Sequence, residues 1–373
     1  MRLRGRFSAV SLMTLGALLL SVMTVATQGT LPLGLGDVVE GVLSCGLGLG
    51  VGAGGGSNVG SSEASCSLSS LEWQVLADIR FPRIFMALIT GAGLAMTGAI
   101  LQSVTRNPLA DPYLFGISSG AALGAVVAIS ALSGVAIYPE LFGLSELESV
   151  TDILVTDISV TAGALIGAAL SVVLMLVLAG RAAAQVETLL LSGVAVSFML
   201  SALTSLVIYF STPDTATTLL FWLMGSFTGS QWDSLMLPVI FLCLCLLVFL
   251  LFAPWLQVLQ LGDDSASALG VPVYALRLSM LLLCSAMTAV LVAEVGGIGF
   301  VGLMIPHICR LLVGARLPQL LMMSALLGGV FMVWVDYLAN ALLTDQVLPV
   351  GIVTSALGSV FFFLILKGRH ERS

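Results

Sequence analysis

The residues that could do chemistry in this chain begin with a short motif at 116–120, Gly-Ile-Ser-Ser-Gly. It matches the G-x-S-x-G pattern of serine hydrolases, with Ser118 as the nucleophile and with His307 and Asp336 as candidate partners in a catalytic triad. A nucleophile elbow needs a strand that enters a helix. Here, however, small residues recur every four positions, a spacing typical of close helix packing in lipid. We therefore favour a packing stripe over an intramembrane hydrolase for Gly116, Gly120 and Gly124.

Metal chemistry is a second candidate, and it has little support. His307 has Cys309 two residues further on, whereas the other histidine, His370, lies in the charged C-terminal tail. A zinc or iron centre requires three or four convergent ligands. We expect a structural histidine bonded across helices, with no metal site and no catalytic site in this chain.

Asp336 is the clearest ionisable residue inside an apolar run. Burying a carboxylate in a membrane is costly unless it is paired or faces a wet cavity. Asp336 is thus a candidate for an intramembrane polar network. The alternative is the proton-coupling carboxylate of an ion-coupled secondary transporter, which should place several carboxylates or broken helices at the bilayer midplane.

Nucleotide-binding motifs are weak or missing. Gly50, Gly52 and Gly55 match G-x-G-x-x-G, but no strand precedes them and no helix clearly follows. The single lysine, Lys367, lies near the C-terminus, so the chain has no G-x-x-x-x-G-K-[ST] phosphate-binding loop. We expect no nucleic acid as a partner.

The elements that must position these residues follow from composition. Of 373 residues, 58% are hydrophobic and 9% are charged, against about 25% charged in an ordinary soluble domain, and the mean hydropathy is +1.13. A helix needs roughly 20 apolar residues to cross a bilayer. The sequence therefore predicts an all-α polytopic membrane protein with about ten transmembrane helices, in a single domain over 1–373. The apolar runs lie near 7–27, 81–105, 113–133, 159–180, 188–210, 235–253, 274–293, 300–314, 319–343 and 348–366.

Orientation follows from the lysines and arginines, which collect on the cytoplasmic side of membrane proteins. With ten spans and a cytoplasmic N-terminus, Arg80 and Arg83 are the only two of the 13 lysines and arginines that fall outside. We therefore predict cytoplasmic N- and C-termini and a place in the bacterial inner membrane. The first run, 7–27, is expected to be a retained helix, because it is longer than the apolar region of a signal peptide.

The outer loop after the first run carries a Gly- and Ser-rich insertion at about 44–66, which we interpret as flexible. Cys45 and Cys66 flank this insertion. In an oxidising periplasm they could form a disulfide, and the alternative is two free thiols.

Hydrophilic segments on the inner side lie at 106–112, 181–187 and 262–272. The first two are short turns between spans. In the third, Asp263 or Asp264 can cap a short helix that Gly270 ends. With Leu269 and Val271 exposed, this helix would be a docking surface for a cytoplasmic partner, and the alternative is an ordinary interhelical loop.

A series of short motifs lies between about residues 70 and 367. They are Arg-Phe-Pro-Arg at 80–83, Gly-Ala-Gly-Leu-Ala at 91–95, Gly-Ala-Ile-Leu-Gln at 98–102, Arg-Asn-Pro-Leu-Ala-Asp-Pro at 106–112, Leu-Leu-Ser-Gly-Val-Ala at 190–195, Trp-Leu-Met-Gly at 222–225, Gly-Gly-Ile-Gly-Phe-Val-Gly-Leu at 296–303, Ile-Pro-His at 305–307 and Leu-Pro-Val-Gly at 348–351. Together they resemble the FecCD-type permeases, the membrane subunits of ABC importers for iron–siderophores, haem and cobalamin.

The resemblance implies a type II ABC importer permease fold with ten helices in each subunit. It also implies the partners, which are a second permease copy or a sister permease, two cytoplasmic ATPases, one periplasmic binding protein and the membrane lipid. ATP and Mg²⁺ would bind on the ATPases, so no cofactor is expected in this chain.

Carried over by position, the resemblance assigns roles to several residues. Arg80 and Arg83 match arginines that receive acidic residues of the binding protein. The segment at about 254–273 matches the cytoplasmic coupling segment on the ATPase, with Gly262, Asp263, Asp264, Ser265, Ala268, Leu269, Gly270 and Val271. The cytoplasmic gate matches Asn107, Pro108, Leu109, Val186 and Glu187.

The resulting prediction is a permease subunit that moves a ferric chelate across the inner membrane by alternating access. An iron–siderophore is favoured over haem and cobalamin as the substrate, and ATP hydrolysis on another subunit drives the movement. The alternative is the ion-coupled secondary transporter that uses Asp336.

Overall fold

Apolar helices make up most of the computed structural model, which describes residues 2–29, 31, 33–46, 68–137, 151–180, 186–343 and 346–370. Seven helices in these ranges are long and apolar enough to cross a bilayer, and three shorter apolar helices lie at Ile117–Ala131, Val301–Val313 and Val350–Ile365. Together they account for the ten predicted spans. The all-α polytopic fold is therefore confirmed.

Fourteen α-helices follow one another along the described ranges. They are α1 (Arg2–Thr27), α2 (Leu35–Gly41), α3 (Ser70–Gln74), α4 (Phe81–Thr105), α5 (Ile117–Ile137), α6 (Thr151–Ala179), α7 (Val186–Phe210), α8 (Pro213–Leu223), α9 (Trp232–Leu259), α10 (Asp263–Ala268), α11 (Val273–Val295), α12 (Val301–Val313), α13 (Leu317–Ala341) and α14 (Val350–His370). Short π-helical turns at Val42–Gly46 and Val75–Arg80 and a 3-10 turn at Pro112–Phe115 accompany them.

The helix ends carry recognisable signals. At the start of α8 the Thr212 side chain accepts a hydrogen bond from the Thr215 N–H, and Pro213 occupies the first turn, where its missing N–H costs nothing. At the end of α4, Arg106 has a φ of 52°. This left-handed conformation ends the helix but is uncommon for a residue other than glycine.

The apolar runs do not predict α8, because its 11 residues are too few to cross a bilayer. This short helix lies between α7 and α9 and packs against α5 and α7. The residues that follow it, Met224, Gly225 and Ser226, bond to the start of α14 and the end of α11, as described below. The structure thus contains, in addition to the simple spans, a short helix whose end is bonded to the ends of two other helices.

The centre of the molecule is α4, whose residues are almost all buried and which packs against α9, α11, α12 and α13. Glycines let its backbone approach two of these neighbours. A Cβ atom at Gly98 would overlap the carbonyl group of Gly302 in α12, and one at Gly91 would overlap that of Gly328 in α13. In lipid, helices gain no hydrophobic driving force from each other, so close backbone packing is a main source of association.

The same device joins α5 to α6. A Cβ atom at Gly120 would overlap the Gly167 carbonyl, and one at Gly124 would overlap the Gly163 carbonyl. Gly116 has a different role, since it ends the 3-10 turn with a φ of 75°. The glycines of the 116–124 stripe therefore serve both a turn and a helix contact.

We expect Gly124→Leu to destabilise the protein, because the larger side chain must separate α5 from α6. Forced overpacking of this kind costs about 1–3 kcal/mol. The matched control is Gly16→Leu, since Gly16 in α1 has open space around its Cβ position. Thermal unfolding of the detergent-solubilised protein should show a lower midpoint for Gly124→Leu than for Gly16→Leu, and equal midpoints would contradict this account of the contact.

Candidate translocation path and coupling elements

A cavity of about 930 Å³ lies between α5, α7 and the adjoining ends of α8, α11, α12 and α14. Its polar lining consists mainly of hydroxyl groups, and the lining contains no Lys, Arg or His within the described ranges. The hydroxyl-bearing residues are Tyr113, Ser118, Ser119, Ser201, Thr204, Ser205 and Ser355. Such a surface can hold a ligand by hydrogen bonds and apolar contact.

Three chain interruptions meet beside this cavity. The Ser226 N–H donates to the Val295 carbonyl at 2.9 Å, which joins the end of α8 to the end of α11. The Val350 N–H donates to the Gly225 carbonyl at 3.0 Å, and the Gly351 N–H donates to the Met224 carbonyl at 2.9 Å. The start of α14 is thereby joined to the end of α8.

Two glycines make this meeting feasible. Gly225 has a φ of 76° and Gly296 has a φ of 73°, conformations that other residues rarely adopt. A Cβ atom at Gly296 would also overlap the Trp222 carbonyl. The motifs at 222–225, 296–303 and 348–351, which are far apart in sequence, thus form one structural unit.

Gln102 secures the start of α12 against α4. Its Nε2 donates to the Gly302 carbonyl at 3.1 Å, and its Oε1 accepts a hydrogen bond from Arg310. Nearby, Asp111 lines the cavity and its Oδ1 accepts the Tyr113 N–H at 2.8 Å. Gln102 thus satisfies the Gly302 carbonyl, which has no helical partner because Pro306 lacks an N–H, and Asp111 satisfies an N–H in the first turn of the 3-10 helix.

Asp336 in α13 pairs with Arg83 in α4. Arg83 Nε lies 2.8 Å from Asp336 Oδ2, and Arg83 Nη2 lies 2.8 Å from Asp336 Oδ1, which is a bidentate ion pair. The Asp336 side chain is 4% exposed and that of Arg83 is 18% exposed. Arg83 is therefore the polar partner that Asp336 requires in an apolar helix. The resemblance to known permeases had assigned Arg83 to docking of the binding protein.

Arg80 is buried at the same end of α4. Its Nη1 donates to the Ala26 carbonyl at 2.7 Å, and its Nη2 donates to the Leu31 carbonyl. Both acceptors lie at or just beyond the end of α1. Arg80 thus holds the first outer turn in place, and its role in docking stays a prediction.

The turn after α4 carries the first half of the predicted gate. The Asn107 Oδ1 accepts the Leu109 N–H at 3.0 Å, and the Asn107 carbonyl accepts the Ala110 N–H at 3.2 Å. This arrangement fixes Pro108 between them and leaves the Leu109 side chain 53% exposed. The second half lies at the start of α7, where Val186 is the first residue and Glu187 is exposed. The gate itself stays a prediction.

The predicted coupling segment forms α10 between α9 and α11, and residues 254–259 belong to the last turns of α9. Ser265 and Ala268 lie within α10, and Leu269 is 66% exposed as expected for a docking surface. Val271 was expected to be exposed, and this expectation is wrong because Val271 is 7% exposed. Its N–H donates to the Ala266 carbonyl across Gly270, whose φ is 81°, and this Schellman turn folds Val271 under the helix.

The expectation that Asp263 or Asp264 caps α10 is also wrong. The N-cap residue is Gly262, with no side-chain cap. The Asp263 carboxylate instead meets two arginines, with Oδ1 3.0 Å from Arg106 Nη2 and 3.0 Å from Arg277 Nη2. Ion pairing with residues outside the helix has displaced the local capping bond.

The hydrolase interpretation finds no geometric support. Both Asp336 oxygens are engaged by Arg83, and Ser118 lies in the first turn of α5 rather than between a strand and a helix. The His307 ring packs edge-on against Phe361, with ring centres 5.9 Å apart. Within the described ranges no cluster of potential metal ligands is found. Apart from Ser44, the Gly/Ser-rich insertion at 44–66 lies outside the described side chains, and so does the pairing of Cys45 with Cys66.

Comparison with known proteins agrees with this architecture. Residues 10–368 match the model of the FecCD transport family. The chain is 40% identical over 303 residues to the cobalamin import system permease protein BtuC of Halobacterium salinarum, covering 80% of this chain and 75% of that protein. It is 35% identical over 310 residues to the hemin transport system permease protein HmuU of Yersinia pestis, covering 82% and 87% respectively.

A solved structure shares the whole architecture. It is described as an inward-facing conformation of a metal-chelate type ABC transporter, and it superposes with a TM-score of 0.77 at 29% identity, over 97% of this chain and 99% of that one. The chain therefore belongs to the FecCD transport family. It is a permease subunit of an ABC importer and a multi-pass protein of the bacterial inner membrane, with the ATPase on a separate subunit.

We expect the loss of one partner of the Arg83–Asp336 pair to lower the free energy of unfolding, and the replacement of both partners by apolar residues to change it little. Arg83→Leu alone leaves the buried Asp336 carboxylate without its counter-ion, which typically costs about 3–5 kcal/mol. The double variant Arg83→Leu/Asp336→Leu removes both charges and should recover most of that loss. Denaturant unfolding in detergent measures both, and a double variant as unstable as the single one would contradict the pairing.

Proposed function

We propose that this chain is the translocating subunit of an importer that carries a ferric chelate across the inner membrane. An iron–siderophore is the favoured substrate, and haem and cobalamin are the other candidates. The observation that carries the proposal is the cavity of about 930 Å³ between α5, α7 and the adjoining ends of α8, α11, α12 and α14, whose mostly apolar lining carries seven hydroxyl groups. Ligand sites of roughly 300–1,000 Å³ suit small molecules rather than bare ions.

The chemistry of the lining supports a chelate as the substrate. The Ser119 hydroxyl can donate to a carbonyl oxygen. The Ser201 hydroxyl donates to Ser119 and that of Ser205 to the Ser201 carbonyl, so both can accept from N–H groups of a ligand. A chelate that shields its metal presents such groups at its surface. Because the described lining offers no metal-binding cluster, we infer that the metal stays within its chelator during passage.

The assembly that we propose has two permeases, one being this chain and the other a second copy or a sister permease. Two cytoplasmic ATPases bind ATP and Mg²⁺, and a periplasmic protein delivers the substrate. The permease would then change the access of its cavity without chemistry on the substrate, and it would need neither a cofactor nor a catalytic site of its own.

The outer end of α4 is the proposed docking site for the periplasmic protein. Arg83 keeps 18% of its side chain exposed, whereas Arg80 is buried beneath the first outer turn. An acidic residue of the partner would therefore meet Arg83 first and share its guanidinium with Asp336. Guanidinium groups have five N–H donors, so a second carboxylate can be accommodated.

The inner side would carry the ATPases on α10, with the exposed Leu269 as the apolar contact. The gate that we propose consists of the turn at Asn107, Pro108 and Leu109 and the start of α7 at Val186 and Glu187. Closing and opening of these turns would alternate with exposure of the cavity to the periplasm.

Uptake into proteoliposomes that contain the chain with its ATPase and binding protein tests the proposal. The probes are radioactive ferric siderophore, radioactive hemin and radioactive cobalamin, each with an ATPase-inactive control and with a protonophore. We expect uptake of the ferric siderophore that requires ATP hydrolysis, survives the protonophore and falls in Arg83→Glu. The control for charge reversal is Arg316→Glu, on an exposed residue at the start of α13.

Two results would contradict the proposal in different ways. Uptake that persists without ATP hydrolysis but collapses with the protonophore would favour a secondary transporter and return Asp336 to the centre of the mechanism. ATP-driven uptake of cobalamin or hemin alone would keep the importer and replace the iron–siderophore as its substrate.

A further inference from the structure

One carboxylate joins three elements on the cytoplasmic side of the molecule. Asp263, the first residue of α10, lies 3.0 Å from Arg106 in the turn after α4. The same carboxylate receives Arg277 Nη2 from α11, at 3.0 Å to Oδ1 and 3.1 Å to Oδ2. The resemblance to known permeases assigned a role to Asp263 but none to either arginine.

The two arginines stand in different surroundings. Arg277 is 2% exposed, so its charge needs a nearby counter-ion and fixes the position of Asp263 relative to α11. The Arg106 side chain is 41% exposed and leaves the end of α4 to reach the same carboxylate. Asp263 is thus held firmly on one side and offers its second contact to the turn after α4.

The backbone of Arg106 gives an independent sign that this contact is needed. Its φ of 52° is a left-handed conformation, which Gly or Asn usually supplies at a helix C-terminus. Among the described residues other than glycine, only Phe300 shares a positive φ. An arginine in this conformation costs more than a glycine would, and the pair with Asp263 is a reason for its presence.

The local structure around Arg106 would transmit a movement to the gate. Arg106 is followed directly by Asn107, whose side chain and carbonyl hold the N–H groups of Leu109 and Ala110. On the other side, a Cβ atom at Gly262 would lie 3.7 Å from Arg106 Nη1, so the guanidinium rests on the start of α10. The turn and the start of α10 are therefore in contact through Arg106.

We propose that Asp263 is a positioning residue that ties α10 to the turn carrying Asn107 and Leu109. A displacement of α10 by the ATPases is carried through the Asp263–Arg106 pair to the Leu109 side chain, while the Arg277 pair keeps α10 attached to α11. This inference rests on the proposed function, because it assumes that ATPases move α10. It adds the specific connection between the coupling segment and the gate.

The test uses the complete transporter in nanodiscs, with native cysteines replaced and with Leu109→Cys as the reporter. A charged, membrane-impermeant maleimide measures the accessibility of that cysteine without nucleotide and with ATP plus vanadate. We expect the labelling rate to depend on nucleotide in the parent. We expect that dependence to be lost in Arg106→Ala and in Asp263→Asn. In Arg106→Ala, ATP hydrolysis should continue, because Arg106 lies outside the coupling segment.

The controls separate loss of the connection from loss of structure. Arg316→Ala removes an exposed arginine at the start of α13, outside the coupling segment and the gate, and should keep the nucleotide dependence. Arg106→Gly relieves the left-handed backbone but lacks the guanidinium, and it should lose the dependence as Arg106→Ala does. Arg106→Lys retains the charge and should restore a part of it.

The outcomes distinguish this inference from the proposed function. A parent transporter whose labelling ignores nucleotide would refute the proposed gating as a whole. A responsive parent together with an equally responsive Arg106→Ala or Arg106→Gly would overturn the role of the pair alone. If Asp263→Asn fails to assemble because Arg277 loses its ion pair with Asp263, the Arg106 variants still decide, since they leave the Asp263–Arg277 pair intact.

Discussion

Every backbone N–H and C=O group at membrane depth must find a partner within the protein, and the cavity depends on how this is achieved. The ends of α8 and α11 and the start of α14 are interrupted beside the cavity, and they bond to one another through residues 224–226, 295 and 350–351. Gln102 supplies further bonds to the start of α12. Without these bonds, the backbone groups at the ends of α8 and α11 and at the start of α14 would lack partners inside the membrane.

Glycine contacts pack the central helix α4 closely against its neighbours. Gly91 and Gly98 bring α4 against α13 and α12, so the central helix is fixed along most of its length. Near one end of α4, Arg83 pairs with Asp336, and at the other end Arg106 pairs with Asp263. A single helix therefore connects the proposed docking end with the proposed coupling end.

Much of the architecture could be predicted from the sequence, because 20-residue apolar runs and the distribution of arginines are strong signals in a membrane protein. The bounds of α4 agree with the predicted run at 81–105. The need of Asp336 for a polar partner was also predictable, but its partner lies 253 residues away and only the tertiary fold brings Arg83 to it. The burial of Val271 depends on a Schellman turn, and the side-chain direction of Asp263 depends on Arg106 and Arg277. The helix α8 is too short to be recognised from the sequence as a membrane element.

The central proposal is that the cavity between α5, α7 and the adjoining ends of α8, α11, α12 and α14 is the path of the substrate. It opens alternately to the two sides of the membrane. The most direct measurement is the accessibility of Ser205→Cys, in the cavity lining, to impermeant maleimides added from either side of the membrane, with and without ATP plus vanadate. Val177→Cys on an exposed position of α6 is the control. We expect Ser205→Cys to be labelled from one side of the membrane without nucleotide and from the other side with ATP plus vanadate. The labelling of Val177→Cys should be the same in both states. Labelling of Ser205→Cys that is the same in both states, or absent from both sides, would contradict this proposal.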